Sequence, residues 1–209
     1  MSTEDHSRSR DDVRLKPDTT AVDIAILLPP EISNRAVALS AALPRTESHG
    51  LLLGPGMLPH ITLTQQFVST DALDAAIVRV DAVLADQDSL HLRVTGSGKG
   101  SNSVWMAVDR PAALVALHER LLHATQAFEK PDGDASAFAG GDARERDIRW
   151  VQNFRRDFSY DRFTPHITIG HADQPPFVEP MEFVATTIAL CALGRFCTCS
   201  QVIARWDLG

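Results

Sequence analysis

The chain has 209 residues, of which 44% are hydrophobic and 22% are charged. These values are typical of a globular protein and exclude a chain that is mainly disordered or fibrous. Twenty Lys and Arg residues against 27 Asp and Glu residues give a net charge of −7. Because non-specific binding to duplex DNA needs a broad basic face, we expect no duplex-DNA partner.

The hydropathy of the sequence and its few cysteines bear on the expected cellular location. No stretch approaches the length of uninterrupted apolar sequence that a membrane span needs, so we expect no membrane partner. The first twenty residues lack the apolar core of a secretory signal. The three cysteines, all between Cys191 and Cys199, form no disulfide framework. We therefore expect a cytoplasmic monomer, with a disordered tail at 1–20 and a single two-lobed domain at 21–209.

The spacing of apolar residues predicts a mixed series of strands and helices. In chain order we expect a strand at 22–28, a helix at 33–43 capped by Ser33, a loop at 50–58, a strand at 60–68, a helix from 70 or 71 to 86, a strand at 90–95, a turn at 96–100, a strand at 103–108 and a helix at 111–128. A strand at 166–169 and two β-like runs at 182–193 and 198–206 follow. Residues 129–162 break this rhythm and indicate a long insertion or a lid.

One tetrapeptide, Pro-His-Ile-Thr, occurs twice, at 59–62 and at 165–168. Each copy follows the same order of a strand, a proline and a helix, so the sequence predicts two pseudo-symmetric lobes. Side chains two apart on a strand point to the same face, which pairs His60 with Thr62 and His166 with Thr168. A pseudo-two-fold axis would bring the two pairs face to face across a cleft.

Such a cleft suits phosphoryl chemistry. One imidazole can act as a general base while the other acts as a general acid, both near neutral pH. The threonine hydroxyls can donate to non-bridging phosphate oxygens. This chemistry needs no metal ion and no cofactor, and no carboxylate or cysteine stands at a fixed short spacing to complete a zinc site with the two histidines.

The two H-x-T motifs, roughly a hundred residues apart, resemble those of the 2H phosphoesterase superfamily. The likeness is to the bacterial 2′-5′ RNA ligase family, also called RNA 2′,3′-cyclic phosphodiesterases, and covers about residues 22–208. It implies an α+β fold of two pseudo-symmetric lobes, each a mostly antiparallel sheet with outer helices, around a central cleft. It also implies that His60 donates a proton to the leaving ribose oxygen and that His166 activates water, while Thr62 and Thr168 hold the phosphate oxygens.

The resemblance implies a metal-independent phosphodiesterase that hydrolyses the 2′,3′-cyclic phosphate of a nucleotide or RNA terminus, leaving a 2′-phosphate. Two alternatives stay open. One is a 2′,5′-oligonucleotide or cyclic-dinucleotide phosphodiesterase or 2′-5′ RNA ligase, and the other is a non-catalytic nucleotide-binding module. The RNA-acting relatives commonly carry Phe five residues after the first histidine, whereas this chain has Gln65 there and its nearest Phe is Phe67.

Aromatic and basic residues alternate just before the second motif. Since aromatic rings stack on bases and arginine pairs with phosphate, the candidate substrate-binding residues are Tyr160, Phe163, Arg155 and Arg156, together with Phe67. We expect His171 to face away from His166 if the strand continues, and Trp105 to lie in the core.

Overall fold

The computed structural model describes residues 18–209, which form two antiparallel sheets and four α-helices. Residues 1–17 of the predicted disordered tail lie outside the described residues, whereas Thr19 and Thr20 already belong to the first strand. The strands are β1 (Thr19–Leu27), β2 (His60–Ser69), β3 (Leu90–Lys99), β4 (Ser103–Val108), β5 (Glu129–Lys130), β6 (His166–His171), β7 (Met181–Ala185), β8 (Thr187–Gly194) and β9 (Thr198–Asp207). The α-helices are α1 (Pro30–Ala42), α2 (Leu73–Leu84), α3 (Ala112–Thr125) and α4 (Glu145–Asp157).

The sheets confirm the two predicted lobes. One sheet has the strand order β5-β2-β1-β8-β9 and the other has the order β6-β4-β3-β7. Each motif strand is antiparallel to the strand that opens its repeat, β2 to β1 and β6 to β4. The units β1–α1–β2 and β4–α3–β6 are therefore equivalent, and β2 and β6 are in contact where the sheets meet.

Each helix of the repeat packs on the opposite lobe. Helix α1 contacts β6, and α3 contacts β2. The residues that alternate with the motif residues, Ile61, Leu63, Ile167 and Ile169, are all fully buried in the shared hydrophobic core. Burying side chains of this size stabilises the fold by about 1.5–3 kcal/mol each. This core holds the motif strands at fixed positions relative to one another.

Both motif strands carry a β-bulge immediately after the threonine. Register shifts leave Leu63 without a partner on β1 and Ile169 without a partner on β4. An extra residue reverses the alternation of the side chains beyond it. Gln65 and His171, each three residues after its motif threonine, therefore face the same way as the motif. The expectation that His171 faces away from His166 is wrong because it assumed an uninterrupted strand.

The predicted turn at 96–100 is also wrong, because β3 continues to Lys99. Gly98 lies directly opposite Trp105 on β4, and a Cβ on Gly98 would stand 2.1 Å from the indole Nε1. Gly98 therefore does not end β3. Because it has no side chain, it leaves room for the Trp105 indole to lie across this strand. Trp105 is consequently half-buried beside His166 and does not lie in the core as predicted.

Two further differences concern the start of α1 and the run predicted at 182–193. Helix α1 begins at Pro30 and not at Ser33, since proline suits the first turn of a helix. The run predicted at 182–193 is two strands: β7 pairs with β3 in one sheet, and β8 pairs with β1 in the other. The segment 129–162 contains β5 and α4, and α4 packs against β2. No helix within residues 18–209 is long and apolar enough to cross a membrane.

Substitution of Gly98 by Ala tests the packing of Trp105. The added methyl group overlaps the indole, so we expect the free energy of unfolding to fall by about 1–3 kcal/mol, the usual cost of overpacking. Gly54→Ala is the matched control, because a Cβ there meets nothing within 4 Å. Denaturant unfolding of the two variants measures the difference, and equal stabilities would contradict the packing described for Trp105.

Candidate active site

A cleft of about 410 Å³ lies between the two motif strands. Its volume is in the range typical of sites for small ligands. The structure brings all four motif residues together on its wall, His60 and Thr62 from β2 and His166 and Thr168 from β6. The two side chains redirected by the bulges, Gln65 and His171, line the cleft as well.

Both motif imidazoles are oriented by the same backbone contact. Nδ1 of His60 lies 2.7 Å from the carbonyl oxygen of Leu58, and Nδ1 of His166 lies 2.7 Å from that of Thr164. Because a carbonyl oxygen only accepts hydrogen bonds, Nδ1 carries a proton in each ring. The Nε2 atoms are therefore the nitrogens available for proton transfer.

A buried carboxylate on β1 lies behind the first motif. Asp23 has no exposed surface, and its Oδ2 accepts hydrogen bonds from Thr62 Oγ1 at 2.8 Å and from Gln65 Nε2 at 2.7 Å. The same oxygen lies 3.5 Å from Nε2 of His60. Asp23 is not among the site residues predicted from the sequence. Its signal was an ionisable residue inside the apolar strand at 22–28.

This carboxylate separates the pKa values of the two histidines. Burial lowers the pKa of His60, but the Asp23 carboxylate 3.5 Å from its Nε2 outweighs burial and raises that pKa above its ordinary value of 6.5. Burial lowers the pKa of His166 below 6.5, and the positive charge of His60 adds to this effect. Two like groups with pKa values moved in opposite directions are suited to act as an acid and a base.

Comparison of equivalent positions in the two lobes shows why the two histidines have different surroundings. Asp23 stands opposite Gln65 in the first lobe, and Ser103 stands opposite His171 at the equivalent position of the second. The second lobe thus has a hydroxyl where the first has a carboxylate. His166 instead has Trp105 as its neighbour, with 5.0 Å between the ring centroids.

The two threonines differ for the same reason. Thr62 donates its hydroxyl proton to Asp23, so this proton is not available to another acceptor. The Thr168 hydroxyl has no hydrogen-bond partner among the described residues, and it lines the cleft. Of the two motif threonines, Thr168 is thus the one with a hydroxyl proton free for a bound anion.

Aromatic and basic side chains form part of the cleft wall. Helix α4 and the segment after it contribute Trp150, Phe154, Phe158, Arg146 and Arg162. Of the predicted substrate-binding residues, only Phe163 lines the cleft. Its ring stacks on that of His118, with 4.0 Å between the ring centroids.

The other four predicted substrate-binding residues lie outside the lining of the cleft. Arg155 is paired with Glu129, and Arg156 is exposed and paired with Asp157. Phe67 is buried against Phe138 in a separate hydrophobic cluster. Tyr160 packs near the rings of His118 and His123. Sequence proximity to the motifs did not reveal which face of each element these side chains occupy.

One group of side chains within residues 18–209 is close enough to bind a metal ion. Donor atoms of Asp23, His60 and Cys199 lie within 4.8 Å of one another. Burial raises the pKa of the Cys199 thiol well above its ordinary value, because the buried thiolate is disfavoured with the Asp23 carboxylate beside it. The carboxylate is also already engaged by Thr62 and Gln65. We therefore assign no metal to this group.

Comparisons with known proteins agree with this architecture. A profile of the 2′-5′ RNA ligase superfamily matches residues 28–190, which include both motifs. No curated protein matches the chain.

Solved structures share the fold at low sequence identity. Escherichia coli LigT complexed with 3′-AMP is similar with a TM-score of 0.59 and 18% identity, over 91% of this chain and 98% of that chain. LigT complexed with NADP+ gives a TM-score of 0.57 and 20% identity over the same shares. TT0787 of Thermus thermophilus gives a TM-score of 0.56 and 16% identity, over 90% of this chain and 98% of that chain.

These structural matches show a shared fold, and the superfamily profile extends over more than half of the chain and both histidine motifs. The resemblance drawn from the two H-x-T motifs is confirmed: the chain belongs to the 2′-5′ RNA ligase superfamily, the group of the 2H phosphoesterases.

Proposed function

We propose that the protein is a phosphodiesterase that hydrolyses the 2′,3′-cyclic phosphate of a nucleotide or RNA terminus without a metal ion. The observation that carries the proposal is the pair of imidazoles in one cleft, with pKa values moved in opposite directions. Membership of the superfamily supports phosphodiesterase or ligase chemistry. The LigT structures with 3′-AMP, ATP and NADP+ support a nucleotide as the ligand.

In this mechanism His166 is the general base. Its lowered pKa leaves Nε2 unprotonated near neutral pH, so that nitrogen takes a proton from a water molecule. The water oxygen forms a bond to phosphorus while the bond from phosphorus to the ribose 3′-oxygen breaks. His60, whose raised pKa favours the protonated form, donates its Nε2 proton to the leaving oxygen. The product carries a 2′-phosphate and a free 3′-hydroxyl, and both rings then exchange protons with solvent.

The two threonines have separate roles in this mechanism. Thr168 donates its free hydroxyl proton to a non-bridging phosphate oxygen, where negative charge grows in the transition state. Thr62 donates to Asp23 and so fixes the carboxylate that supports His60. This assignment differs from the symmetric roles that the family resemblance implies.

Replacing either motif histidine by Ala should lower kcat by about 10²–10⁴-fold, the usual contribution of a general acid or base. Hydrolysis of 2′,3′-cyclic AMP in the presence of EDTA measures the effect, and phosphorus NMR of the product identifies the bond that breaks. His91→Ala is the control, because His91 is exposed on β3 outside the cleft.

The outcomes separate the alternatives. Full activity in His166→Ala would overturn the acid–base mechanism, and loss of wild-type activity on adding EDTA would indicate a metal. A 2′,5′-linked dinucleotide and a cyclic dinucleotide are assayed in parallel. Turnover of one of these alone would reassign the substrate, and binding without turnover of any would indicate a nucleotide-binding module.

The pH dependence of kcat/KM should be bell-shaped, because activity needs His166 neutral and His60 protonated. Activity then rises as the pH passes the lowered pKa of His166 and falls as it passes the raised pKa of His60. Asp23→Asn removes the charge that offsets the burial of His60. We therefore expect the alkaline limb of the Asp23→Asn profile to lie at lower pH than that of the wild type. NMR titration of the His60 imidazole measures the corresponding fall in its pKa.

The matched control is Asp86→Asn, which removes an exposed carboxylate just beyond α2. Its profile should coincide with that of the wild type. An alkaline limb that stays in place in Asp23→Asn would show that this carboxylate does not set the pKa of the acid.

A further inference from the structure

We propose that the cleft-lining face of α4 is a subsite for a second nucleotide of a single-stranded substrate, with Trp150 stacking on its base and Arg146 binding its phosphate. The inference rests on the proposed function only in placing the reacting phosphate at His60 and His166. It concerns a part of the cleft that the hydrolysis mechanism does not use.

Helix α4 lines the cleft with both buried and exposed side chains. Asp147, Val151 and Phe154 are buried and the helix packs against β2, and of these Asp147 and Phe154 also line the cleft. Arg146 and Trp150 are four residues apart and line the cleft. Residues at this spacing on a helix are neighbours, with about 5–6 Å between their Cβ atoms. A cation and an aromatic plane at this separation fit the phosphate and the base of one nucleotide.

The indole of Trp150 has the surroundings of a stacking platform. One side stacks on the ring of Phe158, with 3.6 Å between the ring centroids and 20° between the planes. Despite this contact, Trp150 remains 37% exposed. A large aromatic side chain held flat by a second ring, with accessible surface on the wall of a cleft, is suited to stack on a base of any identity.

The charge of Arg146 is available to an anion. Its one hydrogen bond among the described residues goes to the amide oxygen of Asn102, at 3.4 Å, and no carboxylate pairs with it there. The neighbouring Arg144 behaves differently. Its guanidinium donates two hydrogen bonds to Asp147 and lies 4.1 Å from the centroid of the Phe196 ring. Of these two cleft arginines, Arg146 is the one whose charge is not neutralised.

The cleft holds a second aromatic plane, Trp105, beside His166. Trp105 lies against His166, so its ring is next to any nucleotide that places its phosphate between the two histidines. Trp150 is on a different element, and together the two rings provide one stacking surface for each of two nucleotides. A substrate that ends after one nucleotide leaves the α4 surface unused.

Binding of a short RNA tests the subsite independently of catalysis. The probes are an RNA trinucleotide with a 3′-phosphate, which cannot react by cyclic-phosphate hydrolysis, and the corresponding 3′-mononucleotide. We expect Trp150→Leu to weaken trinucleotide binding about 5- to 150-fold, the range for loss of one base–aromatic stack. Trp150→Phe, which keeps an aromatic ring, should retain part of the trinucleotide affinity. Neither variant should change the affinity for the mononucleotide.

Arg146→Gln should weaken trinucleotide binding and lower its salt dependence. The slope of log Kd against log salt concentration should fall by about 0.7, the change expected for one lost contact to a single-strand phosphate. Arg149→Gln is the matched control, since Arg149 is on the same helix, is exposed and does not line the cleft. Phe177→Leu, at an aromatic residue that is 78% exposed elsewhere, is the control for Trp150.

The subsite is overturned if the wild type binds the trinucleotide no more tightly than the mononucleotide, or if Trp150→Leu and Arg146→Gln bind it as the wild type does. It is also overturned if the variants weaken both ligands equally. Hydrolysis of a trinucleotide ending in a 2′,3′-cyclic phosphate, compared with 2′,3′-cyclic AMP, is measured on the same variants. If the wild type hydrolyses neither while binding depends on Trp150, the proposed function fails and the subsite stands.

Discussion

The carboxylate of Asp23 is the interaction on which the arrangement of the site depends. Removing an ion of this size from water costs several kcal/mol unless it is well paired. Two donors and the edge of an imidazole converge on Oδ2, while Oδ1 has no hydrogen-bond partner among the described residues. A buried carboxylate that is only partly hydrogen-bonded costs folding free energy, and this one lies beside His60 and raises the pKa of its imidazole. It makes one of two otherwise equivalent imidazoles the better proton donor.

The carboxylate of Asp23 makes one half of the internal repeat chemically different from the other. Two copies of a strand–helix–strand unit supply two identical rings, both oriented by a carbonyl two residues upstream. In a symmetric pair neither ring would be distinguished from the other as the acid or the base. The two lobes differ at Asp23, whose equivalent position in the second lobe is occupied by Ser103. They also differ in α4, whose aromatic side chains line the cleft. The proposed division into acid and base and the proposed direction of substrate binding both come from these differences between two otherwise equivalent units.

The sequence predicted those features that appear as a repeat or as an alternation of apolar residues. It did not predict features that depend on contacts between neighbouring strands. The duplicated Pro-His-Ile-Thr predicted both lobes, the cleft and the grouping of the four motif residues. A bulge leaves no mark in the apolar alternation, so the positions of Gln65 and His171 were out of reach. Gly98 was taken as a turn residue because glycines at 96, 98 and 100 are typical of a turn, and the fit of the Trp105 indole over Gly98 depends on the cross-strand register. Asp23 stood in a run that is apolar on both sides, and its role depends on hydrogen bonds to a neighbouring strand.

The exchange of helices between the lobes has a consequence for motion. Since α1 packs on β6 and α3 packs on β2, each half of the chain supplies part of the wall of the other. The arrangement is an intramolecular counterpart of a swapped dimer. A clamshell movement that separated the sheets would pull both helices off their partners and expose the shared core. Separating the two motif histidines by such a movement would therefore expose apolar surface, and each half of the repeat relies on the other to complete its core.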